Sequence, residues 1–243
     1  MTPTRYYTAS TASTNTLLHE MMRQDKLPEG FLLYTDFQSA GKGQPGNTWE
    51  SENGKNLLFS MLLYPHSIKV YEQFILSEIT GLAIRKVLEK YTDDICIKWP
   101  NDIYWKDKKI AGILIENSLF RDRIDTCIIG IGLNVNQEVF ISNAPNPVSL
   151  RQITGNDVNR EILLMEIQAE LLNIYQNYSP EFIHQEYLNN LYRRNGFHRY
   201  AETAANTVFD AEVEDVLPDG RLILRTQAGE IKSYYFKEIQ FVI

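Results

Sequence analysis

The sequence predicts an α+β protein: a mixed β-sheet with helices packed mainly on one face, followed by a small β-meander. Two patterns carry that class. Apolar runs of strand length (Phe31–Phe37, Leu57–Leu63, Ile95–Lys98, Ile110–Glu116 and Ile124–Ile131) alternate with segments whose apolar residues recur at helical spacing. After about Tyr200 the composition changes to short strands separated by tight turns.

In chain order, Ser13 or Thr14 is a natural N-cap for a short helix with Leu17, Leu18, Met21 and Met22 on its buried side. Strands Phe31–Phe37 and Leu57–Leu63 flank a glycine-rich loop. A helix follows over about Gln73–Tyr91, with Ile75, Ile79, Leu82, Ala83 and Val87 on its buried side. The three later runs complete the sheet, with Lys106-Asp-Lys as a polar turn. Asn159 precedes a helix burying Leu163, Ile167, Leu171, Ile174 and Tyr178. Ser179-Pro180 opens another, as a cap followed by proline in the first helical position. Beyond Tyr200, strands Thr207–Val216, Arg221–Thr226, Ile231–Phe236 and Ile239–Val242 are joined by Pro218-Asp219-Gly220 and Gln227–Glu230 turns. The expected division is a domain over 1–200 and a small β-unit over 201–243.

Composition narrows the function classes. The 243 residues are 44% hydrophobic and 23% charged, as expected of a folded protein with one large domain and a small second one. A net charge of −7 without a basic cluster offers no electrostatic footprint for nucleic acid. No run reaches the length of a membrane span, and the N-terminus lacks an apolar signal core. The two cysteines, Cys96 and Cys127, lie in apolar strand-like runs and read as reduced core residues of a cytoplasmic protein. The four histidines are dispersed without metal-ligand spacing.

Two segments carry chemistry. Residues 98–116 deliver Asn101-Asp102 from a Trp99-Pro100 turn and then Lys109 beside an apolar run containing Gly112. A carboxylate suits a hard cation, and a partly buried lysine suits an anion that develops charge. The bland alternatives are an Asx-turn for Asp102 and a solvated strand-edge lysine, since Lys106 and Lys108 are close by. Lys98 reads equally as an ion-pair partner or as a ligand contact. Upstream, residues 38–60 hold four of the chain's 13 glycines, Gly41, Gly43, Gly46 and Gly54. Glycine lets backbone N–H groups converge on an anion, although Gly43 after Lys42 rules out a Walker loop.

Five motifs in order, Ser13-Thr14-Asn15, the Gln38–Trp49 loop, Lys98–Asp102, Lys109-Ile-Ala-Gly112-Ile-Leu and Gly130-Ile-Gly132-Leu-Asn134-Val-Asn136, resemble the successive signatures of biotin protein ligases. The resemblance implies a class II aminoacyl-tRNA synthetase/biotin ligase-like fold with a C-terminal SH3-like β-barrel. It implies an enzyme that uses ATP and Mg²⁺ to convert biotin to biotinyl-5′-AMP. The acyl group then passes to a lysine of an apo biotin carboxyl-carrier protein or domain. Under it, Lys109 and Lys42 are catalytic. Biotin would be held by Ser13, Thr14, Asn15, Gln38, Gly41, Lys42, Gly43, Gln44, Trp49, Lys109 and Gly112. The nucleotide would meet Lys42, Asn47, Asp102, Lys109 and Asn134, with Asp102 directing the metal.

The loop departs from the family pattern. Lys42 and Gln44 stand where an arginine pair is common, and Asn47 replaces another frequent arginine. Lysine keeps charge without the bidentate fork. Lys55 is the expected source of compensating charge. Because the signatures start by residue 13, no N-terminal helix-turn-helix is expected. Monomer and homodimer both remain open, and a lipoate ligase-like enzyme and a non-catalytic biotin-binding protein are the alternatives.

Overall fold

The computed structural model describes residues 4–141, 146–205 and 207–242. Its larger sheet has seven strands: β1 (Arg5–Thr11), β2 (Leu32–Gln38), β3 (Leu57–Leu63), β4 (Ile95–Lys98), β5 (Asp102–Trp105), β6 (Lys108–Phe120) and β7 (Arg123–Leu133). They lie in the order β1-β2-β3-β7-β6-β5-β4. Only β1 and β2 run parallel. Parallel neighbours cannot be joined by a hairpin, and α1 (Thr14–Gln24) makes the crossing. The sheet is therefore mixed, as expected.

Burial explains why β3 reads as an unbroken apolar run. All seven of its residues are buried because the sheet is covered on both faces at that point. Leu57, Phe59, Met61 and Leu63 join the main core, whereas Leu62 packs with Leu33 and Ile128 under Leu18 of α1. The remaining long helices occupy the main-core face: α2 (Ile75–Leu88), α4 (Arg160–Asn177) and α5 (Pro180–Asn189), with α2 packed against both of the others. A single turn and a half, α3 (Leu150–Thr154), follows Ser149, whose hydroxyl accepts from Gln152 N–H.

Most expected elements stand where the patterns put them. Asn159 caps α4 through Glu161 and Ile162 N–H, and Ser179 caps α5 ahead of Pro180. Tyr178 is a correction: it ends α4 and is 36% exposed. Cys127 is buried, and both thiols are free. Burial pushes the Cys96 thiol up to about 12 and raises that of Cys127 as well, so neither thiol ionises readily.

The second sheet contains β8 (His198–Glu202), β9 (Thr207–Val216), β10 (Leu222–Thr226), β11 (Ile231–Tyr234) and β12 (Ile239–Phe241), all antiparallel in the order β11-β10-β9-β8-β12. It is fastened to the helices and to the 98–102 hairpin. Trp99 donates its indole N–H to the Gly220 carbonyl at 2.8 Å, and Phe74 N–H donates to Pro218 at 3.1 Å. His184 of α5 bridges Glu78 of α2 at 2.9 Å and Asp215 of β9 at 3.0 Å. Those two carboxylates raise the His184 pKa to about 9, against partial burial. Burial raises the Glu78 pKa as well.

Candidate active site

One cavity of about 1020 Å³ opens where α1, the glycine loop, the β4–β5 hairpin, β6, β7 and the C-terminal sheet converge. Every site residue expected from the sequence lines it except Gly41. Lys55 does not line it either; the Lys55 carbonyl instead receives Asn136 N–H at 2.8 Å. The expected compensation by Lys55 therefore finds no support in its position.

One end of the cavity is neutral and internally bonded. Ser13 precedes α1, but its side chain makes no cap. Gln38 caps in its place: its Oε1 accepts from Thr14 N–H at 2.8 Å and from the Thr14 hydroxyl at 3.1 Å. Two donors on Oε1 set the amide orientation and leave Nε2 as a donor. Gly41 stands behind this amide. A Cβ there would come within 2.6 Å of the Trp49 carbonyl and 3.2 Å of Gln38 Nε2, so Gly41 makes room for the cavity wall without facing the cavity.

Asn15 is 2% exposed and its amide is already engaged. Its Nδ2 donates to Glu116 at 2.8 Å, and its Oδ1 lies 2.6 Å from the Ser60 hydroxyl, which is also 2.7 Å from Thr14 Oγ1. A Cβ at Gly130 would meet Asn15 Oδ1 at 2.4 Å, so that glycine is the complement of Asn15. Ser60 escaped the sequence reading. Its one signal was a hydroxyl inside the otherwise apolar Leu57–Leu63 run, where a buried polar atom requires a partner.

Between the two ends lies Trp49. Gly112 and Gly132 face each other across β6 and β7, and the indole lies over the gap they leave. A Cβ would come within 2.9 Å of the ring at Gly112 and 2.4 Å at Gly132. The group that requires Gly112 to be glycine is thus an indole of the chain itself. Trp49 Nε1 is buried without a hydrogen-bond partner among the described residues.

The other end is charged. Lys109 Nζ sits 2.6 Å from Asp102 Oδ1, with side chains 24% and 16% exposed. The approach is Coulombic and off the hydrogen-bonding direction, which leaves that oxygen without a directed donor among the described residues. The Lys109 backbone is locked by N–H donation to Asn146 and acceptance from Val148. Asn101 makes the turn: its Nδ2 donates to the Ile113 carbonyl at 2.7 Å, and its own carbonyl receives Ile113 N–H. The Trp99–Pro100 peptide is cis. Lys98 faces Asp102 across the β4–β5 pair. Its ammonium lies 5.1 Å from the Tyr104 ring and 4.9 Å from the Phe241 ring. Burial lowers its pKa, opposed by the nearby Asp102 charge. Lys42 Nζ donates to Thr16 at 2.9 Å from the loop side. Asn134 is 3% exposed and donates Nδ2 to the Val148 carbonyl, while its Oδ1 is buried without a partner among the described residues.

The chain belongs to the biotin/lipoate A/B protein ligase family, whose model matches residues 7–134. Among its relatives, the bifunctional ligase/repressor BirA of Bacillus spizizenii is 31% identical over 94% of this chain and 71% of that protein. A mutant biotin protein ligase from Aquifex aeolicus, solved in complex with biotin, superposes with a TM-score of 0.77 at 25% identity, covering 100% of this chain and 99% of that one. The Aquifex aeolicus enzyme in complex with biotin and ATP gives 0.78 at 24% identity, over 98% and 99% of the two chains, and confirms the fold. No helix among the described residues is long and apolar enough to cross a membrane.

Proposed function

We propose that this chain is an ATP-dependent biotin–protein ligase. The observation that carries the reading is a single cavity with a neutral donor–acceptor end and a lysine–aspartate end. A carboxylic acid does not acylate an amine at neutral pH, because hydroxide is a poor leaving group. In the first step the biotin carboxylate attacks the α-phosphorus of ATP, the bond to the β-phosphate bridge breaks, and pyrophosphate leaves. In the second, a carrier lysine amine attacks the acyl carbon and AMP departs with the bonding pair.

Each end of the cavity suits one part of the substrates. Ser13, Thr14 and Gln38 offer hydroxyl and amide groups to the uncharged ureido ring, which needs donors and acceptors together. Trp49 over the Gly112–Gly132 gap forms an apolar wall for the acyl chain. Lys109, released from Asp102, would face both the carboxylate and the α-phosphate and offset their repulsion. Lys42, released from Thr16, would border the phosphates together with Gly43, Gln44 and Asn47 of the loop. Asn134 Oδ1, buried and without a hydrogen-bond partner among the described residues, would accept from the nucleotide once the cavity wall moves to uncover it. For Mg²⁺, the donor set fits one protein carboxylate, Asp102, completed by phosphate oxygens and water; the ion would neutralise phosphate charge. In this reading the chain before β8 forms the catalytic domain and the sheet that starts at His198 the appended unit, so the boundary expected at 200/201 moves to the start of β8. The acceptor is an apo biotin carboxyl-carrier domain.

The decisive experiment is incubation with ATP, Mg²⁺, biotin and an apo carrier domain, with the carrier mass as the readout. A carrier that gains one biotinyl group supports the assignment, and no gain at any enzyme concentration refutes it. The family also includes lipoate ligases. The neutral network around Gln38 favours biotin, since lipoate carries no ureido group. Biotin should therefore compete in adenylation where excess lipoate does not.

A further inference from the structure

The C-terminal sheet reaches the glycine loop through one side chain. Between β11 and β12 the chain turns sharply: Glu238 N–H donates to the Tyr235 carbonyl at 3.1 Å, and the Glu238 carboxylate accepts Tyr235 N–H at 2.7 Å. At the apex Lys237 takes a left-handed backbone conformation with φ 73°. Its Nζ donates to the Pro45 carbonyl at 2.6 Å, a bond spanning 192 residues of sequence. Lys237, Phe236 and Phe241 all line the cavity.

Pro45 lies at the tip of the loop. The base of the loop is held by Trp49 N–H on the Gly41 carbonyl, by Lys42 on Thr16 and by the indole on the Gly112–Gly132 gap. The tip folds on itself, with Asn47 N–H to the Gln44 carbonyl at 2.8 Å, Gly43 N–H to the Asn47 carbonyl at 3.0 Å, and Gly46 at φ 91°. Gly46 has nothing within 4 Å of where a Cβ would stand, so packing does little to hold this end. The Lys237–Pro45 bond is what ties the tip to the C-terminal sheet among the described residues.

We propose that Lys237 is a positioning residue that latches the glycine-loop tip shut, so that the C-terminal sheet governs how long the activated acid is retained. For its chemistry the proposal rests on the ligase reading. A mixed anhydride exposed to water is lost: water attacks the acyl carbon, the acyl–oxygen bond to phosphate breaks, and free acid and AMP result. The same bond breaks productively when the carrier amine attacks. A loop closed by one surface ammonium on one backbone carbonyl shields the anhydride, yet opens without unfolding anything when a carrier arrives.

The test compares wild type, Lys237→Met and Lys237→Arg. Methionine approximates the length of the side chain and removes the donor, and arginine restores a donor. In the protein without ligands, amide exchange at Gly43 and Asn47 should quicken roughly fivefold in Lys237→Met, the effect of losing one net hydrogen bond, and return toward wild type in Lys237→Arg. Unchanged exchange overturns the latch. With ATP, biotin and a limiting carrier, the AMP formed per carrier lysine modified should rise about fivefold in Lys237→Met, while the first burst of pyrophosphate keeps its rate. An unchanged ratio overturns the retention role. A slowed burst with an unchanged ratio also overturns it, by making Lys237 a direct phosphate contact. If wild type makes no adenylate while exchange still responds to Lys237→Met, the latch stands and the ligase reading falls.

Discussion

At the Thr14–Gln38 end of the cavity the polar groups are bonded to one another, whereas at the Lys109–Asn134 end they wait. Thr14, Asn15, Gln38 and Ser60 form a chain of short hydrogen bonds running from helix α1 to strands β2 and β3. By contrast, among the described residues Lys109 holds Asp102 without a directed bond, Lys98 rests against two ring faces, and Asn134 Oδ1 has no partner. The difference follows from the ligand parts they would meet. A neutral ring is recognised by groups held in fixed directions, so preorganisation costs little. A charge that appears only during reaction needs counter-charges that can be redirected toward it.

Substitutions at each end break this contrast in different ways. Lys109→Ala removes the redirected cation and should lower the adenylation rate by roughly a thousandfold, read as pyrophosphate release, with the fold unchanged by circular dichroism. Gly132→Ala places a methyl 2.4 Å from the Trp49 ring, which forces the indole off its gap. Biotin affinity should fall about a hundredfold, and the tryptophan emission should shift toward that of exposed indole. Ser60→Ala removes the hydroxyl that joins Thr14 and Asn15. It should cost about 1–3 kcal/mol of stability and raise the KM for biotin, leaving the KM for ATP alone; equal changes in both constants would dissolve the distinction between the ends. Asn134→Ala should do the reverse, raising the KM for ATP about fivefold with biotin binding intact.

The smallest effect should come from pH, acting on the seating of the C-terminal sheet and so on both ends together. The folded-state pKa of His184, about 9, exceeds the ordinary 6.5, so its stabilisation is fully present below 6.5 and is lost as pH rises through 9. The raised pKa of Glu78 acts in the same direction. The melting temperature should fall between pH 6.5 and 9 in wild type, and His184→Gln should flatten that slope, as measured by calorimetry.

Much of this was legible along the chain. Caps Asn159 and Ser179, the β3 run and the identity of Lys109 and Asp102 as candidate charged groups follow from local residue types, whereas the contact between those two does not. Strand β1 was not, because an edge strand with five exposed residues of seven has no buried face to write a pattern. Strand β5 hid behind the Asn101-Asp102 turn, which reads as a loop although Asp102 already pairs with Gly112. Strand β8 begins at His198, before the change in composition around Tyr200.

The sequence by itself determined most of the buried strands and the long helices, the family and the identity of the charged groups, because periodicity, caps and motifs act over a few neighbouring residues. Only the tertiary structure decided who touches whom. Gln38 rather than Ser13 caps α1, Trp49 explains Gly112 and Gly132, and Ser60 joins two helix residues. Lys237, 192 residues beyond Pro45, reaches the glycine loop where Lys55 was expected to act. Such contacts are set by how sheets and loops close in space, and spacing along the chain carries no record of them.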